Sequence, residues 1–212
     1  MRMVKSMIVL VRHGETGYNR DRIVQGRTDT DLSFLGERQA RKLGPLLAPI
    51  KFHSAFVSPQ SRARRTFELL SDGMELEPVF DERLVEVDYG QWEGRRFSEL
   101  WSEQRDELLK FFSDPAAFQV PGGESLTQLE QRVDEFIEQR LPAAHEERNT
   151  LVVAHGGSLR MIVCRMLGLS PSQHFFGLEM GNCSITTLLR IPGRTMLQCL
   201  NWRPEPLDKL PF

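Results

Sequence analysis

Cysteine is scarce: Cys164, Cys183 and Cys199 are the only three in 212 residues. They are odd in number, far apart and in no C-x-x-C arrangement, which gives no support to a disulfide framework or a zinc knuckle and leaves free thiols of a reducing compartment. An excess of charge of either sign is also missing. Lys plus Arg number 27 against 29 Asp plus Glu, a formal charge of −2, so bulk composition does not point to nucleic acid or an anionic membrane as partner. Long apolar runs are lacking as well. The stretch Met7 to Val11 is too short for a signal h-region and runs straight into polar residues, and no window approaches the roughly 20 apolar residues of a membrane span. The expectation is a soluble, cytoplasmic protein in which any cationic site is local.

What is present is a repeated strand, tight turn and helix. "MIVLV" (7–11) is short, continuous and β-branched, the pattern of a strand buried on both faces of a parallel sheet. "LVVAH" (151–155) repeats it and "SAFVS" (54–58) is a weaker third case. Helix-starting chemistry follows each: Ser58 is placed to cap with Pro59 at the first helical position, and Gly156-Gly157-Ser158 opens "LRMIVCRML". "SFLGERQARKLGPLLAPI" (33–50) reads as a helix closed by Pro49. In "ESLTQLEQRVDEFIEQRL" (124–141), Leu126, Leu129, Val133, Phe136 and Ile137 share one helical face. A hairpin is expected from "SITTLLRI" and "TMLQCL" around Pro192-Gly193, and an irregular tail from Asn201 onward. The expected fold is α/β, a three-layer sandwich with a mostly parallel central sheet and helices on both faces. The length suits a single domain over 1–212.

Residues 86–123 interrupt this alternation with an aromatic-rich insertion. Phe97, Trp101, Leu108 and Phe112 fit one helical stripe, which reads first as ordinary packing against the body and second as the wall of a pocket. The insertion is expected to sit over the site as a small helical and loop cap.

Open α/β sheets bind ligands beyond the carboxyl ends of their strands. Arg12-His13 follow the first strand, Ser58 to Arg62 another and His155-Gly156-Gly157 a third, so neighbouring strands bring Arg12, His13, Arg62 and His155 to one point. Two guanidinium forks and two imidazoles suit a tetrahedral dianion, with helix N-terminal amides after Gly156 in support. The site reads as one for phosphate. Release of an alkoxide from a phosphomonoester also needs a proton, and composition leaves the donor open among Glu15, Glu82, Glu86, Asp88, Glu93 and Glu124. A zinc site on His13 and His155 lacks the H-E-x-x-H or Cys partner spacing, so neither metal nor cofactor is expected. His53, His145 and His174 have no motif context.

"RHGET" (12–16), "SPQSRARRT" (58–66), "LVEVDYGQWEG" (84–94), "PGGES" (121–125) and "AHGG" (154–157) stand in the order typical of the histidine phosphatase superfamily, and the chain resembles that family from residue 7 to about residue 190. The resemblance implies that His13 is phosphorylated, that Arg12, Arg62 and His155 hold the phosphoryl group with Gly156 beside them, that Asn19 reaches the phosphate, and that Glu86 donates the proton. His13 must be neutral to attack, and Arg12, Arg62 and a charged His155 favour that form; a backbone acceptor on Nδ1 would leave Nε2 to react. Gln25-Gly26-Arg27 stands where the glycolytic mutases of the family show Cys-Gly-Trp, so hydrolysis is expected over phosphoglycerate-type mutase activity. Among phosphatases, "QGRTDTDLS" and "DPAAFQVPGGES" are similar to α-ribazole phosphatases and broad-specificity members, with α-ribazole phosphate or small sugar and nucleoside phosphates as candidate substrates. The partner is then a small-molecule phosphomonoester. A non-catalytic phosphate-binding or protein-interaction module is the alternative of another class. The resemblance permits a homodimer.

Overall fold

The computed structural model describes residues 6–143 and 147–204. Arg2 and Lys5, His145, and the prolines at 206 and 211 lie outside the described residues. In chain order the elements are β1 (Ser6–Arg12), α1 (Gly17–Arg20), α2 (Phe34–Leu47), β2 (Ser54–Val57), α3 (Ser61–Leu70) and β3 (Pro78–Phe80), then α4 (Phe97–Glu103), α5 (Arg105–Ser113) and α6 (Leu126–Arg140), and finally β4 (Thr150–Ala154), α7 (Gly156–Leu167), α8 (Pro171–His174), β5 (Ile185–Ile191) and β6 (Arg194–Trp202). The strands form a six-stranded sheet in the order β3-β2-β4-β1-β5-β6. β3, β2, β4 and β1 run parallel, and the β5–β6 hairpin adds antiparallel to β1.

The continuous apolar run of β1 is explained by its central place. Side chains alternate across a strand, and Ile8 and Leu10 enter a core with Val152, Phe136 and Ile162, while Val9 and Val11 enter the opposite one with Leu151, Val153, Leu43 and Phe67. α2 and α3 cover one face; α6 and α7 cover the other. This is the three-layer α/β arrangement with a mostly parallel sheet. Ser125 caps α6 by accepting from the Gln128 amide, and Gln128 reaches back to the Ser125 N–H, an arrangement worth about 1 kcal/mol. Among the described residues, no helix is long and apolar enough to cross a membrane.

Three local expectations need correction. α3 begins at Ser61 with Gln60 at its N-cap, not at Pro59 with Ser58 as cap, because the Ser58 hydroxyl is engaged elsewhere, 2.7 Å from His155 Nε2. The stripe Phe97, Trp101, Leu108 and Phe112 is not one helix. The backbone leaves the helical region at Gln104 (φ −134°, ψ 41°), whose side chain accepts the Trp92 indole N–H at 2.7 Å. α4 and α5 therefore fold around a separate small core of Trp92, Leu100, Leu108 and Val120. Last, Asn201 and Trp202 belong to β6 and are not irregular. Asn201 takes a positive φ of 53°, with its N–H on Thr186 Oγ1 and its Oδ1 on the Gly181 N–H, which holds the strand in place through a bulge.

Candidate active site

β1 delivers Arg12 and His13 to the carboxyl edge of the sheet, beside the end of β4, where the His13 N–H donates to Ala154 O at 2.9 Å. Gly14 then lets the chain pass beneath α2. A Cβ there would lie 2.5 Å from the Gly36 carbonyl oxygen, so only glycine fits the crossing. The same turn sets the tautomer of the neighbouring imidazole. His13 Nδ1–H donates to Gly14 O at 2.8 Å, leaving Nε2 with its lone pair directed away from the backbone. Burial, then the charges of Arg12 and Arg62, hold the His13 pKa well below the ordinary value of 6.5, so the ring is neutral at physiological pH.

α3 supplies Arg62, which is fully buried. Its guanidinium donates to Gly26 O at 2.7 Å and Thr28 O at 3.0 Å, and Nε donates to His155 Nδ1 at 3.2 Å. Burial brings its pKa down to about 10 against the opposing pull of Glu86 and Asp29, so it stays charged at neutral pH. His155, the N-cap residue of α7, has its ring centroid 5.1 Å from that of His13. The expectation of a charged His155 is corrected here. Its Nδ1 accepts from Arg62, Nε2–H therefore donates to Ser58, and burial followed by the Arg62 charge keeps its pKa well below 6.5.

Geometry separates the six acids left open by composition. Glu93 is saturated by Arg27, Thr28 and Tyr89 donors. Glu124 pairs with Arg132 at 2.6 Å, Glu15 accepts from Ser33, Asp88 accepts from the Gly90 amide, and Glu82 is exposed. Glu86 lines the cavity with Arg12, His13 and Arg62. Its Oε1 accepts from the amides of Val87 and Gly157 at 3.0 and 2.9 Å. Its Oε2 and Arg12 Nε both lie 3.7 Å from the point where a Cβ on Gly156 would stand. That Arg12 Nε has no hydrogen-bond partner, an orphan donor in a buried site that a bound anion would satisfy.

The cavity measures about 280 Å³. Asn19 lines it, with Oδ1 taken by the Thr16 N–H and Asn182 Nδ2, so its own amide N–H groups remain for a ligand. Gly156 is also in the wall. His155 stands behind it, with no exposed surface. The other side is formed by Trp92, Phe97, Leu108, Phe111, Phe112 and Phe176, so the insertion both packs on itself and roofs the pocket. Contributors that the sequence patterns do not single out include Ile23, Val24, Arg160 and Phe176, which line the cavity, and Asn182, whose amide donates to His13 O at 3.1 Å. Arg160 lies one helical turn beyond Gly156 on α7, a spacing that flags it; Phe176 and Asn182 sit in a segment without periodic pattern. Among the described residues, no group of three or more His, Cys, Asp or Glu side chains could hold a metal ion.

The cup of buried guanidinium groups around a neutral imidazole, at the carboxyl edge of a mostly parallel sheet, has the charge and donor geometry that suit a phosphoryl-like anion. The chain belongs to the histidine phosphatase superfamily (branch 1), whose sequence pattern matches residues 8–203. It is 36% identical over 194 residues to "Putative phosphoserine phosphatase 2" of Hydrogenobacter thermophilus, covering 92% of this chain and 94% of the relative. It is 33% identical to "Probable phosphoglycerate mutase GpmB" of Salmonella choleraesuis, over 85% of this chain and 83% of that one. The solved alpha-ribazole phosphatase of Shigella flexneri superimposes with a TM-score of 0.82 at 27% identity, covering 93% of this chain and 96% of that chain.

Proposed function

We propose that the protein hydrolyses phosphomonoesters through a phosphohistidine on His13, with Glu86 as the proton carrier. The observation that carries this reading is the tautomer: with Nδ1–H tied to Gly14 O, the nucleophilic lone pair is on Nε2, in a cavity that also holds Arg12, Arg62 and Glu86. In the first step Nε2 bonds to phosphorus, the bond to the ester oxygen breaks, and Glu86 Oε2–H gives its proton to the departing oxygen. In the second, the Glu86 carboxylate takes a proton from water as the water oxygen bonds to phosphorus. The P–N electron pair returns to Nε2 and inorganic phosphate leaves. Arg12, Arg62, the Asn19 amide and the α7 N-terminus at Gly156 neutralise charge on the phosphoryl oxygens, which is the main demand of such a transfer. His155 acts by aiming Arg62. No step uses a metal or cofactor.

The partner is a small molecule, met in the cytoplasm. α-Ribazole phosphate, as in the Shigella relative's name, and small sugar or nucleoside phosphates are the candidate esters. Transfer to a second hydroxyl in place of water is the alternative that the Salmonella relative's name favours; release of inorganic phosphate from 3-phosphoglycerate, unchanged by added bisphosphoglycerate, separates the two. The deciding experiment is rapid acid-free quenching with phenyl phosphate. The expected result is an acid-labile, alkali-stable adduct on His13, absent in His13→Ala along with turnover. Hydrolysis undiminished in His13→Ala overturns the reading, and turnover-free binding of phosphate would mark a non-catalytic module.

A further inference from the structure

Gln60 stands at the N-cap of α3, yet its side chain makes no cap hydrogen bond. That position favours a short, oxygen-bearing side chain, and the capping is done by another residue: the Ser61 N–H and hydroxyl both donate to the Asp29 carboxylate, at 2.9 Å each. The buried Gln60 carboxamide reaches two other segments instead. Its Oε1 accepts the Glu86 N–H at 2.8 Å, and its Nε2 donates to Gly26 O at 3.1 Å and Arg27 O at 3.3 Å. An N–H on one side and carbonyls on the other leave the amide a single orientation.

Glu86 lies in an irregular stretch, residues 86–89, which neither helix nor sheet holds in place. The Val87 and Gly157 amides orient its Oε1, but Val87 moves with the same stretch. On the Glu86 backbone, the carbonyl meets Arg132 Nη2 at 3.4 Å and the N–H meets Gln60 at 2.8 Å, so Gln60 is the shorter tie. Gly26 O, at the other end of the carboxamide, also accepts from Arg62 Nη2 at 2.7 Å. One frame thus runs from Glu86 through Gln60 and Gly26 to Arg62. A proton donor must lie within hydrogen-bond reach of the leaving oxygen, which requires a fixed spacing between the acid and the group that holds phosphate.

We infer that Gln60 is a positioning residue for Glu86: its carboxamide sets the backbone of the acid against the loop that anchors Arg62, and so places the proton carrier relative to the phosphoryl group. This rests on the phosphatase reading with Glu86 as acid, and adds to it a residue that lies outside the cavity wall.

The test compares Gln60→Met, similar in length but without the amide, with the wild type on two esters. Glycerol 3-phosphate expels an alkoxide that needs a proton; p-nitrophenyl phosphate expels a phenolate that does not. On the alkyl ester kcat is expected to fall about 10- to 100-fold with KM nearly unchanged, as for displacement of a catalytic group by about 1 Å, while the nitrophenol burst persists. In the Glu86→Gln background the same change should cost almost nothing further, because both substitutions then remove one function. Gln60→Asn keeps the amide but is too short to span both partners; it is expected to show the same split, and is the variant read if a thermal melt shows Gln60→Met unfolded. Wild-type kcat on the alkyl ester in the folded variant overturns the inference. So does an equal loss on both esters, or loss of folding in both variants, which assigns Gln60 to the fold or to Arg62, and so does a fully additive loss in the Glu86→Gln background. No turnover of either ester by the wild type overturns the phosphatase reading instead, and no difference between the esters in Glu86→Gln alone overturns the acid role.

Discussion

Arg62 and His155 are joined at 3.2 Å, the guanidinium Nε donating to the imidazole Nδ1 across 93 positions of sequence. Burial first and the Arg62 charge second keep the imidazole neutral, and the guanidinium is held by acceptors on three sides, His155, Gly26 and Thr28. A lysine at this position keeps a charge but lacks the fork. For Arg62→Lys, kcat/KM on phenyl phosphate is expected to fall ~10²- to 10³-fold, the scale seen when one transition-state donor is removed. Steady-state kinetics with a parallel thermal melt checks this; near-wild-type activity would contradict the clamp.

The two buried imidazoles also make stability depend on pH. Both have folded-state pKa values well below 6.5, through burial first and neighbouring cations second. Above pH 6.5 the rings are neutral in folded and unfolded chains alike, and they contribute no slope. As pH falls below 6.5, the unfolded chain takes up protons that the folded one refuses, so stability declines until the folded pKa values are reached. The slope in that window is about 1.4 kcal/mol per pH unit for each histidine. Urea unfolding at a series of pH values measures it, and His13→Asn should remove one proton from the slope. Histidine ring NMR of the free protein should find no titration of His13 near 6.5; a normal midpoint would rule out the buried neutral ring.

The fold was legible wherever burial left a pattern. β1 and β4 announce themselves because both faces of each strand are covered, and Arg12, His13 and His155 are conspicuous because they end such runs. Patterns misled where backbone and side chain part company. Phe97, Trp101, Leu108 and Phe112 keep helical spacing across Gln104, yet the chain bends there. Ser58 has the chemistry of a cap, but its hydroxyl meets His155, a partner nearly a hundred residues away that spacing alone does not reveal. Glu86 was reached through family resemblance alone; what sets it apart from Glu93 and Glu124 is that their oxygens are consumed by amides and by Arg132. Asn182 and Phe176 reach the site through tertiary packing of a segment with no period.

Gly157 holds Glu86 in place by being a glycine. Its N–H donates to Oε1 at 2.9 Å, and a Cβ would sit 2.5 Å from that oxygen and in collision with Val87. The φ here is not positive, so Gly157→Ala strains contacts and not the helix backbone. The expected result is a folded protein in which Glu86 is displaced, with kcat reduced by roughly 10- to 100-fold, as for misplacement of a catalytic group by about 1 Å. Gly168→Ala is the counter-case. Gly168 closes α7 at φ 68° with open space around it, so that change should cost about 1 kcal/mol of stability and spare kcat.

Glu86→Gln tests the proposed acid role of Glu86 apart from mere charge. Glu86→Gln keeps an oxygen to accept from Val87 and Gly157, so the side chain stays oriented while losing the ability to donate and recover a proton. An alkyl ester such as glycerol 3-phosphate expels a strongly basic alkoxide, and its kcat should fall ~10²- to 10⁴-fold, the span of general acid catalysis. p-Nitrophenyl phosphate expels a stabilised phenolate that needs no proton, so its first step should be nearly unchanged. Its burst of nitrophenol should persist, while the following steady state slows, because in the proposed mechanism the same carboxylate activates the water that attacks phosphohistidine. Stopped-flow absorbance distinguishes the two phases. A substitution that slows alkyl and nitrophenyl bursts equally would mean that Glu86 shapes the pocket without moving a proton.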